Sequence, residues 1–173
     1  EAFADAVDQL VEGFRGAEIT RKLITLGTPY RGAAKALDQL INGIRKGLGK
    51  LALDLTDFSR SLPSLYQLIP DYACLDDWVT TTDYPELAGK SLPELSTPML
   101  DDAARFHADL AAAEAARPDS LDMTHMIIGV RQPTGSTVRI HTDGHAELLD
   151  TFGSDNDYGD ATVPLTGAVG HGL

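Results

Sequence analysis

Cysteine is nearly absent from the chain: Cys74 is the single one in 173 residues. That excludes an intrachain disulfide framework and any zinc site built on several thiolates. Bases are scarce too, 14 Lys and Arg against 26 Asp and Glu, for a net charge of −12. Nucleic acid requires a basic face that releases counterions, and anionic lipid surfaces require the same, so neither partner is expected. No run approaches the ~20 apolar residues of a membrane span. The opening EAFADAVDQL carries acids where an export signal carries bases, so no signal is expected in these residues, and no compartment is indicated beyond a cytoplasmic default. A phosphate loop is missing as well. GIRKGLGKL offers Gly49-Lys50, but Leu51 stands where Ser or Thr is required and Ile44 where the first Gly is required.

What is present is 43% hydrophobic and 23% charged, enough apolar material for one core but not for two independent ones. Phe3, Val7, Leu10, Val11 and Phe14 recur at helical spacing, and Gly16 ends that amphipathic segment. Leu23 to Leu26 is a short β-rich apolar run closed by Gly27, Pro29 and Gly32, which predicts a buried strand feeding a tight turn. AAKALDQLINGIRKGL returns to helical spacing through Leu37, Leu40, Ile41 and Ile44. Strand, turn and helix in this order predict an α/β protein. The following proline-rich stretch predicts an irregular, mostly helical insertion, the kind of segment that forms lids and binding loops. DDAARFHADLAAAEAARP predicts a helix ended by Arg117-Pro118, and MTHMIIGV and STVRIHT predict strands on either side of the turn RQPTG.

The stretch SDNDYGDATVPL, residues 154 to 165, concentrates the chemistry. As a calcium loop counted from Asp155 it fails, because Gly159 falls at position 5, Asp160 at 6 and Thr166 at 12. A looser cation site using Asp155, Asp157 and Asp160 stays open. The other readings are a solvated surface turn and the carboxylate of a catalytic triad, which must sit on a sharp turn with an apolar anchor behind it. Gly159, Asp160 and Val163-Pro164 have that pattern.

RKLITLGTPYRGAAKALDQL, SLPSLYQLIPDYACLDD, FHADL, IIGVRQPT and GDATVP, in this order and at these separations, resemble the second half of a lecithin:cholesterol acyltransferase-like α/β-hydrolase of the bacterial kind. The resemblance runs from about residue 20 to the end. It implies a partial α/β-hydrolase fold, with core segments at 1–50 and 99–173 and a helical cap insertion at 51–98. It implies that Asp160 is the triad acid, and that the reaction is acyl transfer or lipase/esterase hydrolysis of an acyl ester or lipid through an acyl-enzyme, without metal or organic cofactor. Tyr66, Leu68, Ile69, Tyr72 and Trp78 are then candidates to line an acyl pocket, or else they pack the cap on the core.

Two departures stand beside the resemblance. No G-x-S-x-G nucleophile elbow occurs in these residues. His171, the one histidine after Asp160, has the right chain order for a base but follows the acid too soon for the family's spacing. His125 and His141 read as structural histidines on strands, His107 as a helix packing or surface residue, and His145 as a turn residue. Ser61 and Ser64 are stand-in nucleophiles that the resemblance makes cap residues, and Cys74 reads as buried and inert. The resemblance therefore implies a chain that supplies the acid and cap of a hydrolase. The alternative is a non-catalytic scaffold or split half that binds acyl ligands, or a partner chain through an exposed sheet edge.

Overall fold

The structure, a computed structural model, describes residues 21–47, 52–75, 95–116, 124–150 and 158–170. The predicted first helix, residues 3 to 14, lies outside them.

Strand β1 (Leu23–Leu26) leads into the turn Gly27–Ala33 and helix α1 (Ala34–Asn42). Ala34, Leu37 and Leu40 fall on one face of α1 and are fully buried, as their spacing requires. The helix stops earlier than the pattern predicts. Gly43 takes a φ of 79° and donates its N–H to the Gln39 carbonyl, after which Arg45–Lys46 (β2) pairs antiparallel with Leu53–Asp54 (β3). Two short helices follow, α2 (Thr56–Arg60) and α3 (Pro63–Tyr66).

Helix α4 (Thr97–Ala115) begins four residues before the predicted Asp101, because Thr97-Pro98 suits a first turn in which the missing proline N–H costs nothing. Strands β4 (Thr124–Ile127), β5 (Thr137–Ile140) and β6 (Ala146–Leu149) and the short helix α5 (Leu165–Ala168) complete the described elements.

The α/β character is present, in small sheets. β1 pairs with β4 in parallel, Leu23 opposite Thr124 through Leu26 opposite Ile127. β5 pairs with β6 in an antiparallel hairpin. The two strands predicted around RQPTG therefore both form but do not pair with each other. The core lies between α1, α3, α4 and the β5–β6 hairpin, and includes Leu37, Leu40, Tyr66, Ile69, Leu100 and Val138.

One expectation is corrected. The run Leu23–Leu26 is a strand, but it is not buried: Leu23 is 49%, Ile24 54% and Leu26 70% exposed, with Ile127 beside it at 56%. Parallel strands are ordinarily covered on both faces, and a two-stranded pair has no such layers of its own. Among the described residues no helix is long and apolar enough to cross a membrane.

The turn after β1 ties distant segments together. Arg31 donates its backbone N–H to the Gly167 carbonyl, and Ala33 donates to that of Leu68. The Arg31 guanidinium meets the Asp71 carboxylate at 2.9 Å, with the Asp71 side chain only 8% exposed. That pair joins the turn after β1 to the segment after α3, and the Arg31 backbone bond to Gly167 adds α5.

Candidate functional site

Because β1 and β4 run parallel, their carboxyl ends coincide, and Gly27 extends the ladder by donating its N–H to the Ile127 carbonyl at 2.9 Å. Asp160 sits over this end. A Cβ at Gly27, where φ is 55°, would lie 2.7 Å from Asp160 Oδ2, and one at Gly129 would lie 2.6 Å from the Asp160 Cβ. Both strands can therefore approach the carboxylate only because each is followed by a residue without a side chain. The carboxyl ends of parallel strands are where open α/β proteins place their chemistry.

The carboxylate is held from below. Its Oδ1 accepts the backbone N–H groups of Thr162 at 2.9 Å and Val163 at 2.7 Å. Between them and the acid, Ala161 occupies the left-handed region at φ 75°, a conformation that costs a non-glycine residue about 1 kcal/mol or more. A second bond offsets that strain: Ala161 donates its N–H to Thr134 Oγ1, whose own hydroxyl bonds the Gln132 carbonyl. Thr134 is 1% exposed, and Gln132 and Gly159 exchange a reciprocal pair of backbone bonds. RQPTG is thus the clamp on the acid loop. No described residue donates a hydrogen bond to Asp160 Oδ2, which leaves that oxygen as an acceptor at the strand ends.

The histidines fall elsewhere. His107 is buried and donates Nε2–H to the Ile69 carbonyl at 3.1 Å, with Nδ1 3.9 Å from Asp71. His141 lies 3.1 Å from Glu147 and stacks on His145 at the turn of the β5–β6 hairpin. His125 is exposed on β4. None of these four bonds Asp160. His171 and Trp78 lie outside the described residues, as do Asp155 and Asp157, which the cation reading needs. Ser61 donates its hydroxyl to the Phe58 carbonyl, and Cys74 is buried.

Beside the strand ends lies a groove of about 450 Å³. Pro29, Leu68, Phe106 and Leu110 form its apolar wall, and Thr28, Tyr30, Ser64 and Gln67 add hydroxyl and amide groups. Of the candidate pocket residues, Leu68 is here. Tyr66 and Ile69 are fully buried in the core, where the Tyr66 hydroxyl accepts the Ser96 N–H, and Tyr72 packs under the Arg31 guanidinium. Phe106 and Leu110 were not singled out from the sequence, although their i, i+4 spacing on a helix was a usable sign that they share a face.

Comparisons of the chain with family models, with curated proteins and with solved structures return no significant match.

Burial alone pushes the Cys74 thiol up to about 12 from 9.0, so it holds its proton at neutral pH and is no nucleophile. The folded state binds this proton more tightly than the unfolded state. Its contribution to stability is therefore complete below pH 9 and is lost as pH rises from 9 toward 12. A disulfide reagent at pH 8 is expected to leave Cys74 unmodified until urea unfolds the chain, and rapid modification of folded protein would contradict this placement. The acid loop is tested by Asp160→Ala, which removes the acceptor for two N–H groups and is expected to cost about 1–2 kcal/mol in urea denaturation. Asp160→Asn keeps an acceptor oxygen and is expected to lose under about half of that.

Proposed function

We propose that the chain supplies the triad acid, Asp160, of a serine α/β-hydrolase of the O-acyltransferase or lipase/esterase type, acting on acyl esters. The observation that carries the reading is the Asp160 carboxylate itself. One oxygen is fixed by two backbone N–H groups, and the other is unclaimed by any described residue at the joint carboxyl end of two parallel strands. A triad acid needs that arrangement: rigid enough to orient an imidazole, with an acceptor left for its N–H. The motif order of the acyltransferase-like hydrolases supports the same assignment, with 51–98 as the cap and the flanking segments as core.

In the assembled enzyme the nucleophile comes from a segment bearing the G-x-S-x-G elbow that these residues lack. Its serine oxygen attacks the ester carbonyl while a histidine takes the hydroxyl proton. The tetrahedral adduct collapses to an acyl-enzyme, and the histidine returns the proton to the leaving alkoxide. Water or an acceptor alcohol then attacks the acyl-enzyme, again giving its proton to the histidine, which passes it to the departing serine oxygen as the second tetrahedral adduct collapses. Throughout, Asp160 Oδ2 accepts the histidine Nδ1–H, which fixes the tautomer and stabilises the imidazolium. The uncovered strands β1 and β4, with Leu26 and Ile127 exposed, are where the elbow-bearing segment adds its own strands.

In that assembled enzyme, Asp160→Asn is expected to lower kcat on a p-nitrophenyl ester by about ten-thousand-fold with KM little changed. A loss under tenfold would remove Asp160 from the triad. An assembly that forms through β1 and β4 yet hydrolyses no ester would favour the scaffold reading instead.

A further inference from the structure

Asparagine is rare in this chain. It occurs at Asn42 and Asn156, and of the two only Asn42 is followed by a glycine. An Asn-Gly pair carries chemistry of its own. The Gly43 nitrogen can attack the Asn42 side-chain carbonyl carbon, since glycine has no Cβ to hinder the approach. The new N–C bond closes a succinimide ring as the bond to the amide nitrogen breaks, and ammonia leaves with the proton from Gly43. Water then opens the ring at either carbonyl, giving aspartate or isoaspartate. No oxidant or cofactor enters.

The fold restrains every reacting group of this step. Asn42 is the last residue of α1, and ring closure requires it to leave helical geometry. Gly43 donates its N–H to the Gln39 carbonyl at 2.9 Å, so the attacking nitrogen is engaged. The departing amide nitrogen donates to the Ala146 carbonyl at 2.6 Å and to Asp38 Oδ1 at 2.8 Å. The amide oxygen accepts the Ala146 N–H at 2.9 Å. Asn42 thereby docks the β5–β6 hairpin on α1 across 104 residues of chain. Ala146, the residue it grips, is only 2% exposed.

The same contacts turn away the product. A carboxylate only accepts, so an oxygen would face the Ala146 carbonyl and the Asp38 carboxylate where an amide nitrogen donated to both. Burial raises the Asp38 carboxyl above its ordinary value while the Asn42 amide works against the rise, and a negative charge in place of that amide removes the help. Isoaspartate adds a main-chain methylene as well, at the point where α1 ends.

We propose that Asn42-Gly43 is a deamidation site gated by the hairpin: closed while β5–β6 is docked on α1, open when it leaves, and barring redocking once the amide is lost. Unfolding is then recorded in the covalent structure, and the chain ages through its unfolded state. The inference is independent of the role of Asp160.

The test incubates the chain at pH 8, folded in buffer and unfolded in guanidinium chloride, and follows Asn42 by peptide mass mapping and enzymatic isoaspartate methylation. The unfolded chain is expected to deamidate there at least about tenfold faster. Comparable rates in the two states, with the buffered sample shown to be folded by circular dichroism, would overturn the gate. Redocking is read from variants in urea denaturation. Asn42→Asp is expected to lower the midpoint further than Asn42→Ala, because it adds repulsion to the lost bonds. In an Asp38→Asn background the deficit of Asn42→Asp is expected to shrink, a coupling that lost bonds alone do not produce. Asn42→Asp unfolded in buffer while Asn42→Ala folds is the same result in its extreme form. Asn42→Asp no more destabilising than Asn42→Ala in both backgrounds would overturn the bar to redocking.

Discussion

The ion pair between Arg31 and Asp71 is the constraint on which the rest of the structure hangs. It is made where the turn after β1 meets the segment after α3, and the Asp71 side chain is almost wholly buried. Around it the Arg31 carbonyl accepts the Asp71 N–H, the Leu68 carbonyl accepts from Ala33, and the Gly167 carbonyl accepts from Arg31. A buried carboxylate is costly unless it is paired and hydrogen-bonded, so the pair fixes how these three segments sit rather than merely adding to stability. The same turn that carries Arg31 also supplies Thr28, Pro29 and Tyr30 to the groove and follows Gly27, which lies under Asp160. Groove and acid are therefore placed by one joint.

Two kinds of order meet there. The acid loop is built from backbone hydrogen bonds: Asp160 is gripped at one oxygen, Ala161 is held in a strained conformation, and Thr134 satisfies the N–H that the strain presents. The groove is built from apolar side chains on segments whose other faces fill the core, so that Leu68 faces the groove while its neighbour Ile69 is fully buried. The proposed function reads this strain beside a polar group, next to an apolar cleft, as that of a site. The two strands that aim this arrangement present apolar side chains outward, the feature on which the proposed assembly rests.

Much of the local order was legible in the sequence. The run Leu23–Leu26 and the helical spacing of Leu37 and Leu40 predict the strand, turn and helix that form, since periodicity is a local property. Gly43 ends α1 in a positive-φ C-terminal conformation, a stop that the apolar spacing running on to Ile44 masks. The pairing of β1 with β4, about a hundred residues away, and the hairpin strand Ala146–Leu149, which has no β-branched residue to mark it, were likewise hidden. At the site, Gly159, Asp160 and Val163-Pro164 pointed to an anchored acid, and the anchor is there. That RQPTG is its clamp was not readable, because the bond from Ala161 to Thr134 spans 27 residues. Of the aromatic and aliphatic residues considered for a pocket, spacing alone did not separate Leu68, which lines the groove, from Tyr66 and Ile69, which fill the core.

The central claim is that these residues hold an acid awaiting a serine and a histidine, and are not a complete active site. Intact-mass spectrometry of the folded chain after exposure to a fluorophosphonate, which modifies only activated serines, tests it most directly. The expected result is no adduct on the chain alone, with folding shown by circular dichroism, and one adduct at the elbow serine once a segment bearing that motif is supplied. A stoichiometric adduct on the chain alone, at Ser61, Ser64 or any other of its serines, would contradict it.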